Sequence, residues 1–205
     1  HDGYADFATT APLAGTPGTG KGFEIFGSAS GPATGTFDVA SLSGTNGFAL
    51  TEANTNSFLG QSVSTVGDFN GDGYDDVAFG EKFGDSSGGF NQGHTYVVFG
   101  KGSAFAGAIN TSGLNGVNGF VLSGAVSLDN SGEWIRSAGD VNGDGYDDMI
   151  IGASGANTAT VSDTGAAYIV FGSANGLGGA NLSSATLNST FLDGVKGFTL
   201  EGVAT

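Results

Sequence analysis

Short apolar runs, set between stretches rich in Gly, Asn, Ser and Asp, give this chain its rhythm. Tyr96-Val97-Val98-Phe99 and Tyr168-Ile169-Val170-Phe171 are continuous, Phe23-Glu24-Ile25-Phe26 is nearly so, and a glycine closes each. Runs of this length between turn residues predict inner strands buried on both faces. A Gly-Phe-x-Leu segment follows each run, as Gly47-Phe48-Ala49-Leu50, Gly119-Phe120-Val121-Leu122 and Gly197-Phe198-Thr199-Leu200. Two further pairs complete the pattern: Ser62 to Val66 with Trp134 to Ala138, and Val77-Ala78-Phe79 with Met149-Ile150-Ile151. No apolar periodicity of helical length occurs anywhere, so the chain is predicted to be all-β.

The segments recur with a period of about 70–80 residues, four strands to the unit. Four antiparallel strands per repeat is the content of a β-propeller blade. A parallel β-helix is the rival for Gly-rich repeats, but its rungs are far shorter than this unit. The expected organisation is a truncated blade in residues 1–52 (strands two to four), a full blade in 53–124, and a full blade plus the start of the next repeat in 125–205. Propellers close with about four to eight blades, so this predicts a partial propeller with an edge at each end. Contacts with further blades of the same protein, or with neighbouring chains, are expected at both edges.

Between the first and second strands of each full unit stands an acidic turn. Asp68-Phe69-Asn70-Gly71-Asp72-Gly73-Tyr74-Asp75-Asp76 returns as Asp140-Val141-Asn142-Gly143-Asp144-Gly145-Tyr146-Asp147-Asp148. Oxygen-bearing side chains occupy positions 1, 3, 5 and 9, with glycine at position 6, where a sharp turn lets the side chains from 1, 3 and 5 converge. The carbonyl of position 7, Tyr74 or Tyr146, joins them. An all-oxygen set of flexible carboxylates and carbonyls favours Ca²⁺ over Mg²⁺ or Zn²⁺. Carboxylates crowded into one turn also repel one another unless a cation neutralises them. An EF-hand is excluded, because position 12 holds Phe79 or Ile151 instead of a bidentate Glu and each loop runs into a strand. Asp75 and Asp147, at position 8, are expected to point away from the ion.

A third copy is cut off at the start: Asp2-Gly3-Tyr4-Ala5-Asp6 aligns with Asp72 to Asp76, which adds Asp2, the Tyr4 carbonyl and Asp6 to the candidate ligands. This suggests a piece of a longer protein. The motifs together resemble the FG-GAP repeats of the integrin α-subunit propeller, and particularly their secreted bacterial relatives. Gly60-Gln61-Ser62-Val63 and Gly67-Asp68 match that pattern closely, Gly132-Glu133-Trp134-Ile135 more loosely, and the Gly-Ala-Pro-like turn is eroded to Gly80-Glu81-Lys82 and Gly152-Ala153-Ser154. The resemblance implies a propeller with Ca²⁺ in the hairpin between the first two strands of each blade.

Charge sharpens the picture. Twenty acidic residues against five basic ones give −15, and half of the acids lie in the three loops, so the negative charge is largely ligand. Five Lys and Arg are too few for phosphate contacts, which argues against nucleic acid. No cysteine means no disulfide and no thiol metal site, and no stretch is apolar enough to span a membrane. Loops with Asn at position 3 suit a compartment where Ca²⁺ is abundant, which points to an extracellular setting.

Catalytic candidates are thin. His94, read as lying in the turn before Tyr96, has no cysteine to pair with and no serine on a strained elbow. Asp85 and Asp163 are the acids freest for ligand work, and solvated loop charge explains both. Trp134 is expected to be buried against a neighbouring blade. The resulting expectation is a non-enzymatic, calcium-stabilised extracellular propeller module for adhesion or recognition of protein or carbohydrate. Two alternatives stand beside it: the propeller domain of a secreted polysaccharide- or lipid-acting enzyme, and a structural repeat of a surface layer or fibre.

Overall fold

The computed structural model describes residues 3–15, 18–29, 35–52, 57–85, 90–157, 164–179 and 182–202. Thirteen strands form three sheets, with three single-turn 3₁₀ segments and no α-helix among the described residues. The first sheet contains β1 (Phe7–Ala11), β2 (Lys21–Ile25), β3 (Gly47–Thr51) and a later strand, β7 (Ala108–Asn110). The second contains β4 (Ser62–Gly67), β5 (Asp76–Glu81), β6 (His94–Val98), β8 (Gly119–Ser123) and β12 (Ser184–Thr186). The third contains β9 (Ser131–Gly139), β10 (Asp148–Ala153), β11 (Ala166–Val170) and β13 (Gly197–Glu201). These are β-propeller blades.

β1 to β3, β4 to β8 without β7, and β9 to β13 without β12 each form an antiparallel meander in the order of the chain, and the apolar runs fall where the pattern placed them. Every residue of β5 and β6 is buried, as the continuous runs require of strands covered on both faces. Alternate residues of one sheet then face different neighbours. Ala78, Val97 and Phe120 are cross-strand partners in one row and pack towards the third sheet. Val77, Phe79, Tyr96 and Val98 face the other way, towards Phe48 and Leu50 of the first. The core is therefore two apolar layers, one between each pair of adjacent blades, and each fully buried Phe, Leu or Ile in them contributes about 1.5–3 kcal/mol.

Two strands fall outside any pattern visible in the sequence. β7 adds in parallel to β3 (Ala49↔Ala108, Leu50↔Ile109, Thr51↔Asn110), and β12 adds in parallel to β8 (Ser184↔Val121, Ala185↔Leu122, Thr186↔Ser123). Each is a short piece from the stretch before one blade's outermost strand, and it pairs with the outermost strand of the blade before. Three residues are too few to establish an alternation of polar and apolar positions.

Two sequence expectations are corrected. His94 is the first residue of β6 and is buried, not part of a turn, because its side chain is held by a buried carboxylate on β5. Trp134 is 65% exposed. It lies on β9 opposite Gly152, on the face away from the second sheet, whereas its neighbour Ile135 is the residue that packs into the core.

Candidate metal centre

The two acidic loops leave the sheets at matching irregularities. The β4–β5 pairing shifts register so that Gly67 faces Asp76, and the β9–β10 pairing does the same to set Gly139 opposite Asp148. Such bulges bend the strand and re-aim the residues beyond them. The position-6 glycines, Gly73 and Gly145, then adopt φ of +90° and +91°, a conformation that a side chain at that position would strain.

Within the first loop the side chains fold inward onto the backbone. Asp68 Oδ1 accepts the Asp72 N–H at 2.9 Å, and its Oδ2 accepts the Gly73 N–H at 2.9 Å. Asn70 Oδ1 also accepts from Asp72 N–H at 2.9 Å, the Asn70 amide donates to Asp72 Oδ2 at 3.1 Å, and Asp72 Oδ1 accepts from Tyr74 N–H at 3.0 Å. The second loop repeats this. Asp140 accepts from Gly143, Asp144 and Gly145 at 2.7, 3.0 and 2.9 Å. Asn142 accepts from Asp144 N–H at 3.0 Å and donates to Asp144 Oδ2 at 2.9 Å, while Asp144 accepts from Tyr146 N–H at 3.0 Å. Positions 1, 3 and 5 thus share one turn in both copies.

Position 9 has a further role that the sequence did not disclose. Asp76 accepts from Phe69 N–H (3.1 Å) and from Gly100 N–H (2.8 Å), and Asp148 accepts from Val141 N–H (2.8 Å) and Gly172 N–H (2.9 Å). Each carboxylate therefore ties its loop to the glycine that ends the apolar run of the third strand. Asp6 does the same in the truncated copy, accepting from Gly27 N–H at 2.8 Å. Tyr4 is exposed beside it, and Asp2 lies outside the described residues.

The electrostatics of the loops are unbalanced. Asp76 and Asp148 are fully buried. Burial pushes the Asp76 carboxyl up to about 8, Asp72 and Asp68 add to the rise, and the Gly100 and Phe69 N–H groups oppose it. Asp148 is raised for the same reasons, burial first and then Asp144 and Asp140. The ion pairs among the described residues, Lys82–Glu133, His94–Glu81 and Lys196–Asp193, include no loop carboxylate. No three His, Cys, Asp or Glu side chains among the described residues are gathered closely enough to hold a metal by themselves. The predicted sets also draw on Asn70 or Asn142 and on a backbone carbonyl. Their chemistry fits a hard cation: oxygen donors only, with negative charge in excess and no basic side chain paired with it among the described residues.

Position 8 behaves differently in the two copies. Asp75 is exposed, whereas the Asp147 carboxylate reaches the preceding loop and accepts the Asp68 N–H at 2.9 Å. Elsewhere, Asp85 is exposed and accepts from Asn91 N–H at 2.6 Å, and Asp163 lies outside the described residues. Sequence reasoning also missed a buried polar group between the first two sheets. His94 Nδ1 and Glu81 Oε2 are hydrogen-bonded at 2.8 Å, the Tyr96 hydroxyl donates its one proton to Glu81 at 2.7 Å and lies 3.1 Å from Glu52, and Thr111 also bonds to Glu52.

Blades whose first two strands are joined by an Asp-rich hairpin, stitched to the third strand, define a class of repeat propeller. The FG-GAP repeat model matches residues 59–98 and 137–170, the two segments that hold these hairpins and the strands after them. Over 167 residues the chain is 30% identical to integrin alpha-V of Gallus gallus, a match covering 78% of this chain and 14% of that protein. Two segments of the chain thus match the FG-GAP repeat, and the chain is similar to an integrin α-subunit over a small part of that protein's length. No helix among its described residues is long and apolar enough to cross a membrane.

Proposed function

We propose that this chain is a calcium-stabilised propeller module that acts in adhesion or recognition, outside the cell or at its surface. The observation that carries the reading is the duplicated loop, in which the side chains of positions 1, 3 and 5 converge beside a buried position-9 carboxylate. The ligands assigned are Asp68, Asn70, Asp72, the Tyr74 carbonyl and Asp76 in the first full loop. In the second they are Asp140, Asn142, Asp144, the Tyr146 carbonyl and Asp148. The truncated copy contributes Asp2, the Tyr4 carbonyl and Asp6 to a site that needs donors from elsewhere. Bound calcium supplies the positive charge that these carboxylates lack. The chain's own part is to hold the oxygens in one turn and to fasten that turn to the blade through Gly100 and Gly172.

The reading is non-catalytic, and the buried His94 is committed to Glu81 and Tyr96 inside the blade interface. We assign the blades to residues 1–52, 53–124 and 125–205. The face of the third sheet bearing Trp134 is assigned to a further blade, since the corresponding face of the second sheet packs against the third. The likeness to integrin alpha-V supports a protein partner met outside the cell or at its surface.

Thermal unfolding of the 205-residue chain with calcium and with chelator tests the cation. A ligand that binds only the native state stabilises it by about 2.7 kcal/mol per site at a hundredfold excess over Kd. Chelation is expected to lower Tm, and Asp72→Ala to remove much of the calcium response. A melting curve indifferent to chelator overturns the assignment. Binding of the calcium-loaded chain to glycan arrays and matrix-protein surfaces, compared with the chelated chain, tests the recognition role.

A further inference from the structure

The contact between the two full loops is more intimate than packing of neighbouring blades requires. Asp147, at position 8 of the second loop, satisfies both backbone polar groups of Asp68, position 1 of the first. Its carboxylate accepts the Asp68 N–H at 2.9 Å, and its own N–H donates to the Asp68 carbonyl at 3.3 Å. One residue further along, Ser173 N–H donates to the Phe69 carbonyl at 3.0 Å. The Tyr146 ring lies directly over Gly71, position 4 of the first loop, so that a Cβ there would stand 2.2 Å from Cε1. Positions 7 and 8 of one loop thus grip positions 4 and 1 of the other, and Ser173 holds position 2 between them.

We propose that this grip couples the two cation sites, so that filling either loop raises the affinity of the other, with Tyr146 and Asp147 as the positioning residues. The inference rests on the assignment of both loops to calcium. In the first loop the grip fixes the backbone that carries ligands 1 and 3. In the second, Asp147 stands between the ligands at positions 7 and 9, Tyr146 and Asp148, so ordering that loop also sets the group that holds Asp68. A rigid element shared by two sites is ordered once, and the second ion then binds to a loop already in place. The coupling is reciprocal by thermodynamic necessity.

The test is calorimetric titration of the metal-free chain with calcium, for the parent and for variants that disable one loop, Asp72→Ala or Asp144→Ala. Disabling either loop is expected to weaken the remaining site by about tenfold. Added to these backgrounds, Asp147→Ala is expected to remove the dependence, leaving the affinity of one loop indifferent to the other. Asp147→Asn keeps an oxygen to accept the Asp68 N–H and is expected to retain most of it. Tyr146→Ala removes the ring over Gly71 while keeping the Tyr146 carbonyl, and gives an independent reading should Asp147→Ala fail to fold. Asp75→Ala, at the same position of the other loop, is expected to leave the coupling intact. Two sites that bind calcium with affinities independent of each other in the parent and single-loop variants overturn the coupling and leave the cation assignment standing. A parent chain that takes up no calcium overturns both.

Discussion

The two blade interfaces are built from the same strands in the same register and filled with different chemistry. Between the second and third sheets, the row Ala78, Val97 and Phe120 is wholly apolar and buried. The equivalent row of the first sheet is Ala8, Glu24 and Phe48, which puts a carboxyl where the next blade has valine. The contrast repeats towards the strand ends remote from the loops. The interface between the first and second sheets holds Glu81 and His94 as a cross-strand pair, where the interface between the second and third has Ala153 and Ala166. Tyr96 and Tyr168 occupy matching places, and each finds a carboxylate: Tyr96 from Glu81 and Glu52, Tyr168 from Asp129 at 3.0 Å. The repeat therefore dictates backbone and register, while the contents of each interface vary with its own partners.

The largest effect should come from cutting into the apolar interface. Phe120 is fully buried with Phe69 and Phe99 around it. Phe120→Ala is expected to cost about 3–5 kcal/mol in chemical denaturation. A loss below about 1 kcal/mol would mean the blades do not depend on this layer.

Glu24 sharpens the comparison through pH. Its Oε2 is buried without a hydrogen-bond partner, and burial, followed by repulsion from Asp6, pushes its carboxyl up to about 7. The unfolded chain titrates near 4.5, so the folded state binds the extra proton between the two values. Stability is then full below about 4.5 and falls as pH rises through 7, by about 3 kcal/mol for this group. Glu24→Val, which copies the second blade, is expected to be more stable than the parent at pH 8 by roughly that amount, and the gain should shrink at pH 4.5. Equal pH profiles for the two proteins would remove Glu24 as the source.

The Glu81–His94 pair should break asymmetrically. His94→Ala leaves Glu81 buried with one partner fewer, beside an Oε1 that already lacks one, and is expected to cost about 2 kcal/mol. Replacing both residues by alanine, as in the third blade, should cost less than the single change. Additive losses in the double-mutant cycle would show the two side chains to be independent. The smallest effect belongs to Trp134: Trp134→Ser should shift the stability of this chain by no more than about 0.5 kcal/mol, since most of the ring faces solvent.

What could be read from the sequence was what residues close along the chain decide between them. The strand runs, the Gly-Phe-x-Leu segments and the inward turn of Asp68, Asn70 and Asp72 are local, and local spacing decides them. Contacts between repeats were illegible for a physical reason. Glu24 sits in an ordinary strand run, and only the second sheet lying over it makes its burial costly. The same holds for Asp147, whose partner is 79 residues away, and for Trp134, whose exposure depends on which face of β9 has a neighbour. Position 9 shows both sides. Its oxygen was legible, but the link from Asp76 to Gly100 runs across 24 residues and joins two motifs that had looked separate.

The parallel strands β7 and β12 bear on how such a chain can change its length. The repeat marked by the motifs and the unit of hydrogen bonding are out of phase, because the stretch before each outermost strand completes the sheet behind it. The borrowed pieces read Ala-Ile-Asn and Ser-Ala-Thr, with no residue in common at matching places. What they donate is backbone pairing and one apolar side chain at the middle place, Ile109 or Ala185, against the core, which many sequences without proline can offer. A genetic duplication or loss of one whole period would therefore hand each sheet a different donor of the same kind, and the seam would close without compensating substitutions. Copy number is thus free to drift in a way that the side-chain contents of each interface are not.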